Sequence, residues 1–203
     1  MARYTGPKHK ISRRVGYCLW GMAKSPANRR PYPPGQHGNK AGGRRKESNY
    51  SRQLLEKQKL RSTYGVLEKQ FRRTFQKASS LRGNTGDNFL SMLESRLDSV
   101  VYRAGIAPTV WSARQLVAHG HIQVNGKKVD VPSYHVKAGS LISVREKSRK
   151  MDLITRSLET APPPPVYMEV YPQSFEAKLL ETPAGRDVPV KVDMAQIVEF
   201  YSR

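Results

Sequence analysis

Residues 96–131, RLDSVVYRAGIAPTVWSARQLVAHGHIQVNGKKVDV, decide the fold. Phe89, Leu93, Leu97, Val100, Val101 and Ala104 recur at helical spacing and predict one apolar face. Gly105 follows where a helix C-terminus favours a residue that accepts positive φ. Pro108-Thr109 restarts the chain, and Thr109 suits the N-cap of a second helix over 110–118 that ends at Gly120. His121 to Val131 then alternates about Asn125-Gly126. Both central positions of a two-residue hairpin need φ > 0, so this dipeptide predicts a tight β-hairpin. A helix–turn–helix feeding a hairpin makes a small platform that carries Arg96, Arg103, Arg114, Lys127 and Lys128.

Outward from this platform, the charge balance selects the partner. The chain of 203 residues holds 36 Lys+Arg against 16 Asp+Glu, a formal net charge of +20. Self-repulsion on that scale points to a polyanionic ligand. Residues 1–46 contain twelve basic residues and no acidic one, whereas 151–203 are mildly acidic. The 37% hydrophobic content allows only modest cores. Cys18 is the single cysteine, so neither an internal disulfide nor a cysteine-based zinc site is expected. There is no run of eighteen apolar residues and no signal-like N-terminus, which predicts a soluble cytoplasmic protein with no membrane contact.

Residues 1–46 are rich in Gly, Pro, Arg and Lys and predict a basic arm, flexible alone and ordered on RNA. Tyr4, Tyr17, Trp20 and Tyr32 are interleaved with cations, a pattern suited to stacking and phosphate contact. Residues 48–80 read as two helices broken at Gly65. Phe71 and Phe75 lie on the inner side of the second, and Lys69, Arg72, Arg73 and Lys77 on the other. Arg82 to Gly86 is a small loop whose amides could approach a phosphate. Val129, Val131, Val136, Leu141, Ile142 and Val144 suggest short antiparallel strands, with a turn at Lys137-Ala138-Gly139. Ala161 to Pro165 is a stiff spacer, and 166–171 and 175–179 are further strand candidates. Asp193 caps a last short helix, which must dock to be stable.

No enzyme emerges. Gly120 with Gly126-Lys127 misses the phosphate-loop spacing. His119 and His121 lack a third ligand, and His9, Cys18 and His37 match no metal pattern. No cofactor or metal is expected. The rival classes are an RNA-modifying enzyme carrying an RNA-binding domain, for which too little chain remains after position 150, and a DNA-binding regulator using the helix–turn–helix. The short second helix, with Trp111, Leu116 and Val117 suited to packing, offers few base-reading side chains for the latter.

Over nearly its full length the chain resembles the bacterial small-subunit ribosomal protein four family. The carrying residues are Met1-Ala2-Arg3-Tyr4 with Gly6-Pro7-Lys8, Ser12-Arg13-Arg14, Pro34-Gly35-Gln36-His37-Gly38, Glu56-Lys57-Gln58-Lys59, Tyr64-Gly65-Val66-Leu67-Glu68, Gln70-Phe71-Arg72 and Gly83-Asn84-Thr85-Gly86. Arg96-Leu97-Asp98, Val100-Val101-Tyr102-Arg103, Ala113-Arg114-Gln115-Leu116-Val117 and Val124-Asn125-Gly126 continue it.

The resemblance implies an α+β protein: a basic arm over 1–46, a helical domain from 47–93 and 180–203, and an inserted α+β domain over 94–179. It implies a structural component of the small ribosomal subunit that binds a multi-helix junction in the 5′ domain of the ribosomal RNA and nucleates assembly. Small-subunit ribosomal protein five and mRNA, near the channel where the message enters, are the further partners. A contribution to translational accuracy is expected, and no stable homo-oligomer. The RNA-binding residues would be Arg3, Tyr4, Lys8, Arg13, Arg14 and His37 in the arm, with Arg44, Arg45 and Lys46 given the role of unwinding mRNA. Lys57, Lys59, Arg61, Tyr64, Arg72, Arg73, Lys77, Asn84 and Thr85 would follow in the helices. Arg96, Arg103, Arg114, Gln115, His119, Lys127 and Lys128 would complete the set.

Overall fold

A computed structural model describes residues 4–20, 25–30, 32–36, 38 and 48–202. In chain order these form α1 (Lys8–Val15), α2 (Pro26–Arg29), α3 (Asn49–Thr63), α4 (Glu68–Ser79), α5 (Thr85–Glu94), α6 (Leu97–Arg103) and α7 (Val110–Ala118). Strands β1 (Ile122–Val124), β2 (Lys127–Lys128) and β3 (Leu141–Val144) follow, then α8 (Asp152–Glu159), β4 (Met168–Tyr171), β5 (Glu176–Leu179) and α9 (Met194–Tyr201). The protein is α+β, with one small antiparallel sheet. Two compact units are present, one from the described residues of 1–72 with 190–203, the other from 73–189.

The first unit is helical. Ser48 caps α3 by accepting the Ser51 N–H at 3.2 Å, and Gly65 at φ +59° turns the chain after it. Leu60, Tyr64, Val66 and Phe71 form its core. Helix α9 packs along α3 and is held at both ends. Asp193 caps it by accepting from the Ala195 N–H at 3.1 Å, while the Asp193 N–H donates to Glu56 at 3.1 Å. At the other end the Tyr201 hydroxyl donates to Glu68 at 3.1 Å. This docking supplies the packing that eight residues of isolated helix lack.

Residues of the expected flexible arm are partly structured. Helix α1 packs on α3, and Trp20 is fully buried, with its indole N–H donating to the Ser62 carbonyl at 3.0 Å. An apolar anchor of that size offsets part of the ordering entropy.

The second unit builds its core between α6, α7 and the sheet. The strand order is β2-β1-β3-β5-β4, antiparallel throughout. Ile122, Val124, Ile142, Val144, Ala177 and Leu179 face Leu97, Val101, Ala113 and Val117 in one apolar cluster. The hairpin forms at Asn125 (φ +49°) and Gly126 (φ +77°), and the Asn125 carboxamide oxygen accepts the Leu141 N–H at 2.8 Å. Thr109 caps α7 by accepting from the Ser112 N–H at 3.2 Å.

Three expectations need correction. The apolar face over 89–104 belongs to two helices rather than one. Arg96 is extended between them, and the Leu97 N–H donates outward to the Tyr134 carbonyl at 2.8 Å instead of continuing the helix. Residues 129–136 form no strand beyond a single bridge between Arg96 and His135, because this segment pairs with the start of α6 and Pro132 has no N–H for a ladder. Residues 152–159, not singled out in the sequence, form α8, which buries Ile154 and lets the Ser157 hydroxyl donate to the Gly105 carbonyl at 2.6 Å.

Candidate nucleic-acid interface

The cations divide into those engaged by internal carboxylates and those left on the surface. In the first unit, Lys57 is buried and donates to Glu68 at 2.8 Å, with its ammonium 4.7 Å from the Phe200 ring centroid. Arg61 donates to the same carboxylate at 2.9 Å. Burial raises the Glu68 pKa, but Lys57, Tyr201 and Arg61 together outweigh it and hold the carboxyl below its ordinary range. Burial, and then the Glu68 charge, pushes the Tyr201 phenol up. Lys59 pairs with Glu56 at 3.1 Å and lies over Tyr17. Tyr64 is in the core.

In the second unit the platform arginines turn inward. Asp98 is fully buried and accepts Arg96 Nε at 3.0 Å and Nη2 at 2.7 Å, then Arg114 Nε at 3.1 Å and Nη2 at 2.7 Å. Arg96 itself is 3% exposed. Arg103 grips the buried Glu94 carboxylate at 2.6 Å, and burial, with the Glu94 charge second, raises the neighbouring Tyr167 phenol. These arginines brace α5, α6 and α7. The expected phosphate-facing array of Arg96, Arg103 and Arg114 is therefore not what this geometry presents; each is mostly buried against a carboxylate. The Arg82 to Gly86 loop differs as well: the Asn84 side chain accepts the Gly86 N–H at 2.8 Å and the Asp87 N–H at 3.4 Å, so it caps α5 and those amides are taken. Thr85 is half-buried.

The remaining cations are exposed. Along α4 these are Lys69, Arg72, Arg73 and Lys77. On the platform they are Lys127 and Lys128, beside exposed Gln115 and His119. Lys128 runs so close over Gly120 that a β-carbon there would strike its side chain. The His119 and His121 rings lie 6.1 Å apart, and the His121 Nδ1 is 2.8 Å from the Ser148 hydroxyl. Burial, followed by the charges of His119 and Arg145, lowers the His121 pKa.

On α1, Arg14 is exposed, while Arg13 donates to the Tyr32 and Pro33 carbonyls, each at 3.2 Å, and stacks over Tyr32. Tyr4 and Lys8 are half-buried. Arg3, His37, Arg44, Arg45 and Lys46 lie outside the described residues. Among the described residues no cluster of His, Cys, Asp and Glu could hold a metal ion, and no helix is long and apolar enough to cross a membrane.

α1 and α3 enclose a cavity of about 260 Å³ that sequence reasoning missed. Lys10, Ile11, Arg14, Val15, Pro34, Leu55, Gln58, Arg61 and Ser62 line it. Lys10 and Gln58 carried no signal in the sequence, because only the packing of the two helices brings them together.

Comparison with known proteins fits this division of charge. Residues 3–94 match the ribosomal protein S4/S9 N-terminal domain family, and residues 95–142 match the S4 domain family. The chain is 53% identical to the small ribosomal subunit protein uS4 of Geobacillus kaustophilus, over the full length of both. It is 51% identical to the proteins of that name from Brevibacillus brevis and Listeria monocytogenes, again over both full lengths.

Proposed function

The chain belongs to the uS4 family of small ribosomal subunit proteins, and on that premise we propose that it binds small-subunit ribosomal RNA by electrostatic docking of two braced surfaces. It is a structural protein, not an enzyme. The observation that carries the mechanism is the separation of its cations. Internal carboxylates hold Lys57, Arg61, Arg96, Arg103 and Arg114 and stiffen the scaffold. Arg14, Lys69, Arg72, Arg73, Lys77, Lys127 and Lys128 stay on the surface, where they neutralise phosphates. Because the scaffold is rigid, only an RNA whose helices meet at the matching angles satisfies all of them at once. That selectivity favours a native multi-helix junction of the 5′ domain and makes the protein an early nucleator of assembly. The basic arm, with Arg44, Arg45 and Lys46, extends this contact toward the incoming mRNA, and small-subunit protein five is the protein neighbour. Translational accuracy follows from that position, and the cytoplasm is the compartment.

The test is binding of the full chain to 5′-domain ribosomal RNA, to a scrambled RNA and to duplex DNA of equal length, across a salt series. The expected outcome is binding retained only by the ribosomal RNA, with log K falling by roughly 0.7–0.9 per log unit of salt for each phosphate contact. Equal affinity for all three ligands would refute junction recognition. The second reading, an unattached RNA-binding protein, predicts no preference for the ribosomal sequence.

A further inference from the structure

The cavity between α1 and α3 has the chemistry of a site for one unstacked nucleotide. Its walls are aliphatic: Ile11 and Val15 from α1, Leu55 from α3, and Pro34. Lys10, Arg14 and Gln58 stand at its polar side. None of these three makes a hydrogen bond or ion pair with any described residue. This contrasts with the neighbouring Lys57, Lys59 and Arg61, which all have carboxylate partners.

The site is built rather than incidental. Trp20 fixes the chain after α1 through its bond to the Ser62 carbonyl. Arg13, on the next face of α1, donates to the Tyr32 and Pro33 carbonyls and so sets Pro34 against the opening. At about 260 Å³ the cavity falls below the roughly 300–1,000 Å³ that encloses a drug-sized ligand. It suits a flat heterocycle with an apolar face and a hydrogen-bonding edge. An extruded base has both, and its phosphate supplies the negative charge that Lys10 and Arg14 lack.

We propose that this cavity receives a single unpaired nucleotide of the bound RNA, its base between the aliphatic walls, its edge on the Gln58 carboxamide and its phosphate on Lys10 and Arg14. This rests on the RNA-binding reading above and adds to it. The exposed cations position the RNA without reading sequence, whereas a base held at Gln58 supplies identity at one position. Gln58 is then a specificity-determining residue, since its carboxamide offers a donor and an acceptor at once.

Two variants of the full chain test this, Leu55→Trp, which fills the cavity, and Gln58→Ala, which removes the edge contact without touching the core. Affinity for 5′-domain ribosomal RNA is measured at fixed salt, with folding checked by circular dichroism. Base protection is mapped with dimethyl sulfate, which reports Watson–Crick edges. Leu55→Trp should weaken binding by about 10-fold or more, the scale of one lost base-stacking contact, with the salt slope unchanged. Gln58→Ala should lose protection at one nucleotide and keep the remaining footprint. A folded Leu55→Trp variant with wild-type affinity would overturn the proposal. So would a Gln58→Ala footprint that is intact or lost as a whole, and this second criterion decides alone if Leu55→Trp fails to fold. If the wild-type chain itself shows no preference for ribosomal RNA over scrambled RNA, the underlying functional reading fails instead.

Discussion

Asp98→Ala should be among the most damaging single substitutions in the second unit. The Asp98 carboxylate is fully buried and accepts from both Arg96 and Arg114 as well as from the Ser99 N–H at 3.1 Å. Removing it strands Arg96, which is 3% exposed and has no route to water without opening the junction of α5 and α6. Breaking a buried pair by deleting one partner costs about 3–5 kcal/mol, because the other charge stays desolvated. Against a total stability of roughly 5–15 kcal/mol, that is a third or more of the whole. At about 2–4 °C per kcal/mol for a chain of this size, Tm should fall by roughly 6–20 °C. Urea unfolding followed by circular dichroism measures the loss, with Arg186→Ala as the control. Arg186 is 88% exposed and 3.9 Å from Asp187, so its removal should change stability by less than about 0.5 kcal/mol. If Asp98→Ala cost no more than the control, the bracing role assigned to the inward arginines would be wrong.

Further outcomes follow from the same geometry. Arg73→Gln and Lys77→Gln should each leave Tm unchanged and reduce the slope of log K against log salt by roughly 0.9, measured by filter binding; Lys57→Gln should instead lower Tm. Glu68 has a folded pKa below its unfolded value, so its contribution is fully present above the ordinary carboxylate range of about 4.3 and is lost as pH falls through the lowered folded value. Acid unfolding of Glu68→Gln should accordingly be shallower below that range than the wild type, and parallel curves would contradict the assigned network. Gly126→Ala forces a β-carbon into φ +77° with open space around it, so it should cost about 1–2 kcal/mol from backbone strain alone, read from the urea midpoint.

Local structure was largely legible before any coordinates. Thr109 and Asp193 sit where side-chain capping geometry requires them, and Asn125-Gly126 supplies the two positive φ values its turn needs. Such signals act over two to four residues, so the sequence carries them in full. Where a nonlocal partner intervened, the reading failed. Periodicity over 89–104 was unbroken in sequence, yet carbonyls from 132 and 134 capture the amides of Asp98 and Leu97 and split the helix. Helix α8 shows the opposite failure, since its apolar positions had a usable spacing that went unread beside the polar residues around them.

The net charge, the hairpin, the capped helices and the family resemblance were properties of the sequence alone. Which cations face outward was not. Lys57 and Arg73 are equivalent as letters, but Lys57 meets Glu68 eleven residues away and Arg114 meets Asp98 sixteen residues away, while Arg73 stays exposed. Ion pairing depends on distances of a few ångströms set by how one helix packs on another. Only the tertiary structure assigns each cation to scaffold or surface, and only the packing of α1 on α3 creates the cavity that joins Lys10, Arg14 and Gln58.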